Sequence, residues 1–177
     1  MVRKGCLALE RPNCFCIDER IIPFSGRCGM KQYVPNQPNP VGLKNFVLAG
    51  MDGVIYDFGI YKGQEAFPDI GLGVAENPVL TLVQTVPTCC TVYFDRWFTS
   101  VSLVDEPVKK IFITGTVMKN KIPKGANLVS DKDMKKSPIG TAGQTTRSDN
   151  AVACVKWVDK EPIAIVPAAL GIEPKGT

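Results

Sequence analysis

Cys14-Phe15-Cys16-Ile17-Asp18-Glu19-Arg20-Ile21-Ile22 and Thr91-Val92-Tyr93-Phe94-Asp95-Arg96-Trp97-Phe98 decide how this chain is read. Both runs are rich in β-branched and aromatic residues and read as strands. Each nevertheless carries an aspartate, a residue that strands disfavour because its short side chain competes for the backbone and its charge resists a half-buried face. Neighbouring strands lie about 5 Å apart, and carboxylates facing each other at that distance repel unless a proton or a metal ion sits between them. Asp18 and Asp95 are therefore the candidate ligands of a divalent cation. Carboxylates in this arrangement build two-metal phosphoryl-transfer sites, with ions roughly 3.5–4 Å apart. Period-2 alternation turns Glu19 and Arg96 to the faces opposite Asp18 and Asp95. It puts Tyr93 and Trp97 on the Asp95 face, as packed core or as a platform for a stacked base.

Outward from these runs, the first strand is expected from Phe15 to Phe24, followed by a turn at Ser25-Gly26-Arg27-Cys28-Gly29. Residues 1 to 12 read as a frayed lead-in. Pro35, Pro38 and Pro40 impose an extended connection, since proline blocks both helix and ladder hydrogen bonds. Lys44 to Ala49 reads as a second strand and Met51-Asp52-Gly53 as a hairpin-type turn. Val54 to Tyr61 reads as a third strand, with Val54, Tyr56, Phe58 and Ile60 on one face. After a loop, Asn77 and Pro78 suit the start of a helix, with Val79, Leu82, Val83 and Val86 on one side and Pro87 as its stop. Thr99 or Ser100 can cap a short helix towards Lys110, distorted by Pro107. Ile111 to Val117 is a fifth strand. A helix crossing over between parallel strands describes a mixed α/β sheet over 1–117. Residues 118–177 change character. They read as a basic insertion region of β and loop, with two strands around the Asp159-Lys160 turn and Val152, Cys154 and Ile163 to Val166 as core.

The chain has 177 residues, is 45% hydrophobic, and carries a net charge of +4. That size and composition suit one folded domain. The positive excess is local, because Lys119, Lys121, Lys124, Lys132, Lys135 and Lys136 face only Asp131 and Asp133. A basic loop on a neutral body suits a polyanion, and Arg27 and Lys31 offer two further phosphate contacts. Seven cysteines, no histidine and no CxxC pair argue for free thiols in a reducing, intracellular setting. They argue against a zinc site and exclude a catalytic histidine from this chain. No apolar run approaches the ~20 residues of a membrane span or a secretory core.

The ordered stations Ile17-Asp18-Glu19-Arg20-Ile21-Ile22-Pro23-Phe24-Ser25-Gly26-Arg27, Lys31-Gln32-Tyr33-Val34-Pro35-Asn36 and Gly42-Leu43-Lys44 resemble transposases of the piggyBac type and the proteins derived from them. So do Tyr93-Phe94-Asp95-Arg96-Trp97-Phe98-Thr99-Ser100, Gly115-Thr116-Val117 and Gly171-Ile172-Glu173-Pro174. The resemblance runs from about Phe15 to Pro174. It implies a ribonuclease-H-like fold with an insertion after its fifth strand, a nuclear location, and DNA cutting and joining with Mg²⁺ or Mn²⁺. Asp18 and Asp95 stand where the family's first two catalytic aspartates stand.

The resemblance also implies a third aspartate, in a Gly-Gly-Val-Asp context that is not reached before Thr177. The fold is thus expected to be incomplete at the C-terminus and the DDD motif to be short of one member. Asp159 and Glu173 lie in other contexts. Arg96 replaces the family's usual asparagine and Met118 a basic residue. Three functions follow as expectations. The first is a transposase-derived, weakly DNA-associated protein without transposition activity. The second is a metal-dependent nuclease whose third ligand comes from another chain or Glu173. The third is an interaction module whose partner covers the shortened sheet.

Overall fold

The computed structural model describes residues 1–35, 37–106, 111–149 and 152–167. Among these the chain folds as two compact units, the first holding residues 1–92 and 111 and the second residues 93–106 and 112–167. The expectations placed on Asn36, on Pro107, and on Gly171 to Pro174 including Glu173 lie outside the described residues.

The first unit is organised on β1 (Cys14–Pro23) and β3 (Val41–Gly50), which run antiparallel. Their register opposes Ile17 to Leu48, Asp18 to Val47 and Glu19 to Phe46. Phe15, Ile17, Phe46 and Leu48 are buried. Against them pack Tyr56, edge-on to Phe15 at 5.5 Å, and Phe67, edge-on to Phe46 at 5.4 Å. The short strand β2 (Lys31–Tyr33) pairs with the start of β3, and β4 (Ile55–Ile60) with its later part. β2 lies where the sequence suggested only an extended connection, and it ends before the first of the three prolines. The β3–β4 turn forms as expected: Gly53 takes φ +76°, and Gly53 N–H donates to the Gly50 carbonyl at 3.0 Å. The Val54 N–H and then the Tyr56 hydroxyl hold the Asp52 carboxyl below its ordinary range.

Several readings are corrected in this unit. Residues 1 to 12 are not simply frayed, because Val2–Leu7 is a helix, α1. Six residues are too few for an isolated helix in water, so tertiary contact must hold it. Arg3 supplies that contact: its Nε lies 2.6 Å and its Nη2 3.1 Å from the two carboxylate oxygens of Asp57. The Asp57 side chain is wholly buried while that of Arg3 is half exposed. The second correction concerns the expected third strand, where Val54, just before β4, and Ile60 are exposed and Asp57 is inside. An irregularity in the ladder between Leu48 and Ala49 breaks the simple period-2 count.

The helix expected from Pro78 is α2 (Glu76–Val83), and it buries Val79, Leu80, Leu82 and Val83, with Val86 just beyond its end. Each such side chain contributes about 1.5–3 kcal/mol of burial. Asn77 does not cap it. The cap position is Ala75, and the Asn77 carboxamide instead accepts from Ile70 N–H at 3.3 Å, tying down the preceding loop. β5 (Thr91–Phe94) starts in this unit, where Thr91 N–H donates to the Asn13 carbonyl just before β1.

In the second unit β6 (Phe112–Thr116), β9 (Pro162–Pro167), β8 (Ala153–Val158) and β7 (Ala142–Thr146) form an antiparallel ladder in that order. Val152, Cys154, Ala164 and Val166 are buried, as the sequence suggested, whereas Ile163 and Ile165 are only half-buried. Two short α-helices among the described residues accompany the ladder. Helix α3 (Val101–Asp105) is capped by Ser100, whose hydroxyl accepts from Leu103 N–H at 3.2 Å. Helix α4 (Asp131–Met134) lies within the stretch read as β and loop, and Met134 anchors it as a buried side chain. Lys156, a buried cation in β8, ion-pairs with Asp131 and donates to the Val129 carbonyl at 2.8 Å.

Arg3→Ala is expected to cost about 2 kcal/mol in denaturant unfolding. That is less than the ~3–5 kcal/mol for breaking a fully buried pair, because water reaches Arg3 and screens it. Hydrogen bonding to Lys156, and more weakly to Lys119, lowers the Asp131 carboxyl below its ordinary range. The Asp131 contribution to stability is therefore complete above the unfolded-chain value, about pH 4, and is lost as pH falls through the lower folded value. Acid titration of unfolding in Asp131→Asn should show a flatter acid limb than in the parent chain.

Candidate functional site

Asp18 sits in the middle of β1, on the face that carries Cys16 and Arg20, and all three are exposed. Ile17 and Ile21 point the other way into the core, with Glu19 half-buried between them. One Asp18 oxygen, Oδ1, accepts from Glu19 N–H at 2.8 Å, and Oδ2 has no protein partner among the described residues. The carboxylate's charge is felt along its own strand. Desolvation first, and the Asp18 charge second, push the Cys16 thiol up.

Asp95 does not lie in a strand. β5 ends at Phe94, and residues 96–98 form a turn. The cause is the aspartate itself, whose Oδ1 accepts from Trp97 N–H at 2.7 Å and so closes the turn. The next ties follow in sequence. Thr99 is fully buried, and its hydroxyl donates to the Asp95 carbonyl at 2.8 Å. Phe98 is fully buried beside Trp97, their rings edge-on at 4.8 Å. Gly115 in β6 makes room for this turn, since a Cβ there would come within 2.7 Å of the Phe94 ring and would strike the Thr99 hydroxyl. Every residue from Phe94 to Ser100 thus has a structural duty except Asp95 Oδ2 and the exposed Arg96 side chain. Strand alternation does not set the direction of Arg96, and Tyr93 is exposed rather than core.

Among the described residues no group of three or more His, Cys, Asp or Glu side chains could hold a metal ion. The donor chemistry of the two aspartates still fits a hard cation. Each fixes one oxygen on a backbone N–H and leaves the other open. Mg²⁺ keeps several waters and binds through as few as one or two carboxylates. Asp18 in the first unit and Asp95 in the second would each offer such an ion one carboxylate oxygen, and an ion held there would supply charge stabilisation of a phosphoryl oxygen.

The basic residues divide by what they touch. Lys135 ion-pairs with Glu161 at 2.6 Å, Lys136 with Asp133 at 3.7 Å, and Lys119 with Asp131 at 3.4 Å. Lys121 donates to the Trp97 carbonyl at 2.7 Å, so it braces the Asp95 turn. Lys124 and Lys132 are exposed with no acidic partner among the described residues, as is Arg27, while Lys31 is half-buried in β2. The basic stretch is thus partly self-neutralised. Sequence reading passed over Asp57 and Lys156, although both show the sign that singled out Asp18, a charge inside an apolar strand. Their partners, 54 residues away for Asp57 and 27 for the Lys156 carbonyl contact, are not visible in a linear pattern.

With this geometry in place, known proteins give it a context. The family model described as Transposase IS4 matches residues 4–169. The human PiggyBac transposable element-derived protein 3 is 30% identical over 168 residues, covering 90% of this chain and 28% of that protein. The human Chimeric ERCC6-PGBD3 protein is likewise 30% identical over 168 residues, covering 90% of this chain and 16% of that one. The chain therefore spans about a quarter or less of the length of these relatives. The cryo-EM structure of a piggyBac transposase synaptic complex with hairpin DNA superposes with a TM-score of 0.78 at 23% identity, over 98% of this chain and 37% of that one. That likeness establishes the ribonuclease-H-like mixed α/β fold expected from the sequence. The chain belongs to the Transposase IS4 family and is a piggyBac-type, transposase-derived protein.

Proposed function

We propose that the chain is a DNA-associated, transposase-derived protein whose Asp18 and Asp95 each offer a carboxylate oxygen to a divalent cation, Mg²⁺ or Mn²⁺, and whose 177 residues do not by themselves transfer DNA strands. The observation that carries the reading is the state of the two aspartates. Each is exposed and half-committed to a backbone N–H, with one oxygen left for an ion. One open carboxylate oxygen suits a weakly held, mostly hydrated cation better than the two closely spaced ions of phosphoryl transfer. A nuclear site of action belongs to the same reading.

DNA association is supported by the family and by the solved relative, which is a complex with hairpin DNA. On this chain, Arg27, Lys31, Lys124 and Lys132 are the cations without an acidic partner among the described residues of the candidate set. Lys119, Lys121, Lys135 and Lys136 add to the field but must exchange an existing contact to reach a phosphate. Phosphate contacts of this kind give affinity without sequence reading.

The test is fluorescence anisotropy with a labelled DNA duplex, together with a cleavage assay in Mg²⁺ or Mn²⁺. The expected result is binding that weakens with salt, by a log–log slope of about −0.9 per phosphate neutralised, and no cutting. Robust cutting abolished by Asp18→Ala contradicts the inactive reading, and salt-insensitive or absent binding contradicts the DNA reading.

A further inference from the structure

The second unit holds a cavity of about 240 Å³ bordered by Arg96, Lys119 and Lys156, with Asp131 as its acid and Met118 and Ile122 among its apolar walls. The charges do not cancel. Asp131 already has the buried Lys156 as a partner, and Lys119 at 3.4 Å is a second cation on the same carboxylate. Arg96 is a third, exposed and without an acidic partner among the described residues. The nearby Glu161 does not make up the deficit, because Lys135 holds it at 2.6 Å. Lys156 commits two of its three N–H donors to Asp131 and the Val129 carbonyl. The result is a small concave site with positive charge in excess of what folding uses.

From this we infer that the Arg96–Lys119–Lys156 cavity is a phosphate-binding pocket, and that its ligand is a backbone phosphate of the bound DNA. The inference rests on the DNA-associated reading and adds the place where one phosphate sits. The size fits the class. Pockets for drug-sized ligands run about 300–1,000 Å³, so this one admits a phosphate group rather than a whole nucleotide. The chemistry fits as well. Arg96 offers a planar fork of donors and Lys119 a mobile point charge, the two ways side chains bind phosphate. Lys156 is held rigidly by its two contacts and supplies a fixed field from below.

Two measurements on the full 177-residue chain test this. In the first, ¹⁵N-labelled protein is titrated with inorganic phosphate against sodium chloride of equal ionic strength. The amides of Lys119 and Ala164, both in the cavity wall, should shift saturably with phosphate alone. In the second, DNA anisotropy compares Arg96→Gln and Lys119→Gln with Lys160→Gln, an exposed charge in the β8–β9 turn. Each pocket variant should weaken DNA binding several-fold and reduce the salt slope by about one, beyond the effect of Lys160→Gln. Arg96 is exposed and makes no hydrogen bond or ion pair among the described residues, so its variant should keep the parent spectrum. If phosphate shifts the pocket amides but the variants bind DNA like Lys160→Gln, the DNA ligand is overturned and a free phosphate compound takes its place. If the parent binds DNA while the pocket ignores phosphate and the variants match the control, the pocket is overturned and the DNA reading survives. A parent chain that does not bind DNA overturns both the ligand named here and the function it rests on.

Discussion

The antiparallel register between β1 and β3 is the constraint on which the first unit depends. It opposes Ile17 to Leu48 and Asp18 to Val47, so that alternate residues face the packed α2 side and the open side. A slip of one residue would bury Asp18 and Arg20 and expose Phe15, Ile17 and Ile21 together. The cost of burying unpaired charge makes that slip inaccessible. The same rule that builds the core therefore delivers Asp18 to solvent with one oxygen open. In the second unit a different device has the same effect. The Asp95 carboxylate closes its own turn, and Gly115 gives the turn its seat.

Much of this was legible in the sequence. The β1 alternation, the Met51-Asp52-Gly53 turn, the buried side of α2 and the Ser100 cap all rest on local chemistry, and local chemistry is what a linear pattern records. Asp95 was assigned to a strand because Tyr93, Phe94, Trp97 and Phe98 prolong an apolar, aromatic run. Competition of an aspartate side chain for the backbone ended the strand at Phe94, four residues before the run's last aromatic. The face assigned to β4 failed for a different reason. An irregular ladder position shifts the count, and Asp57 goes inward because Arg3 of α1 is there to meet it. A partner that distant leaves no periodic trace in the chain.

Charge pairing also reshapes the basic stretch. Counted along the sequence, six lysines between 119 and 136 form one positive loop. In three dimensions Lys119, Lys135 and Lys136 meet carboxylates, two of them on α4 and one in the β8–β9 turn. Lys121 serves the Asp95 turn. What remains for a polyanion is a smaller and better defined set, Lys124 and Lys132 on the outside and the Arg96-centred cavity within the unit. Lys156 makes the point most clearly. It is a charge in a buried strand, it holds α4 to β8 through Asp131, and the same ammonium adds its field to the cavity.

Asp18 and Asp95 each offer an open oxygen to a hard cation, and the proposed function turns on that chemistry. Titration of the ¹⁵N-labelled chain with Mn²⁺ tests it directly, because the amides of Glu19 and Trp97 donate to those two carboxylates and are broadened by a paramagnetic ion beside them. Both amides are expected to broaden at low Mn²⁺, to recover on addition of excess Mg²⁺, and to lose the effect in Asp18→Asn and Asp95→Asn respectively. Broadening that spares either amide, or that persists unchanged in those variants, would contradict the claim.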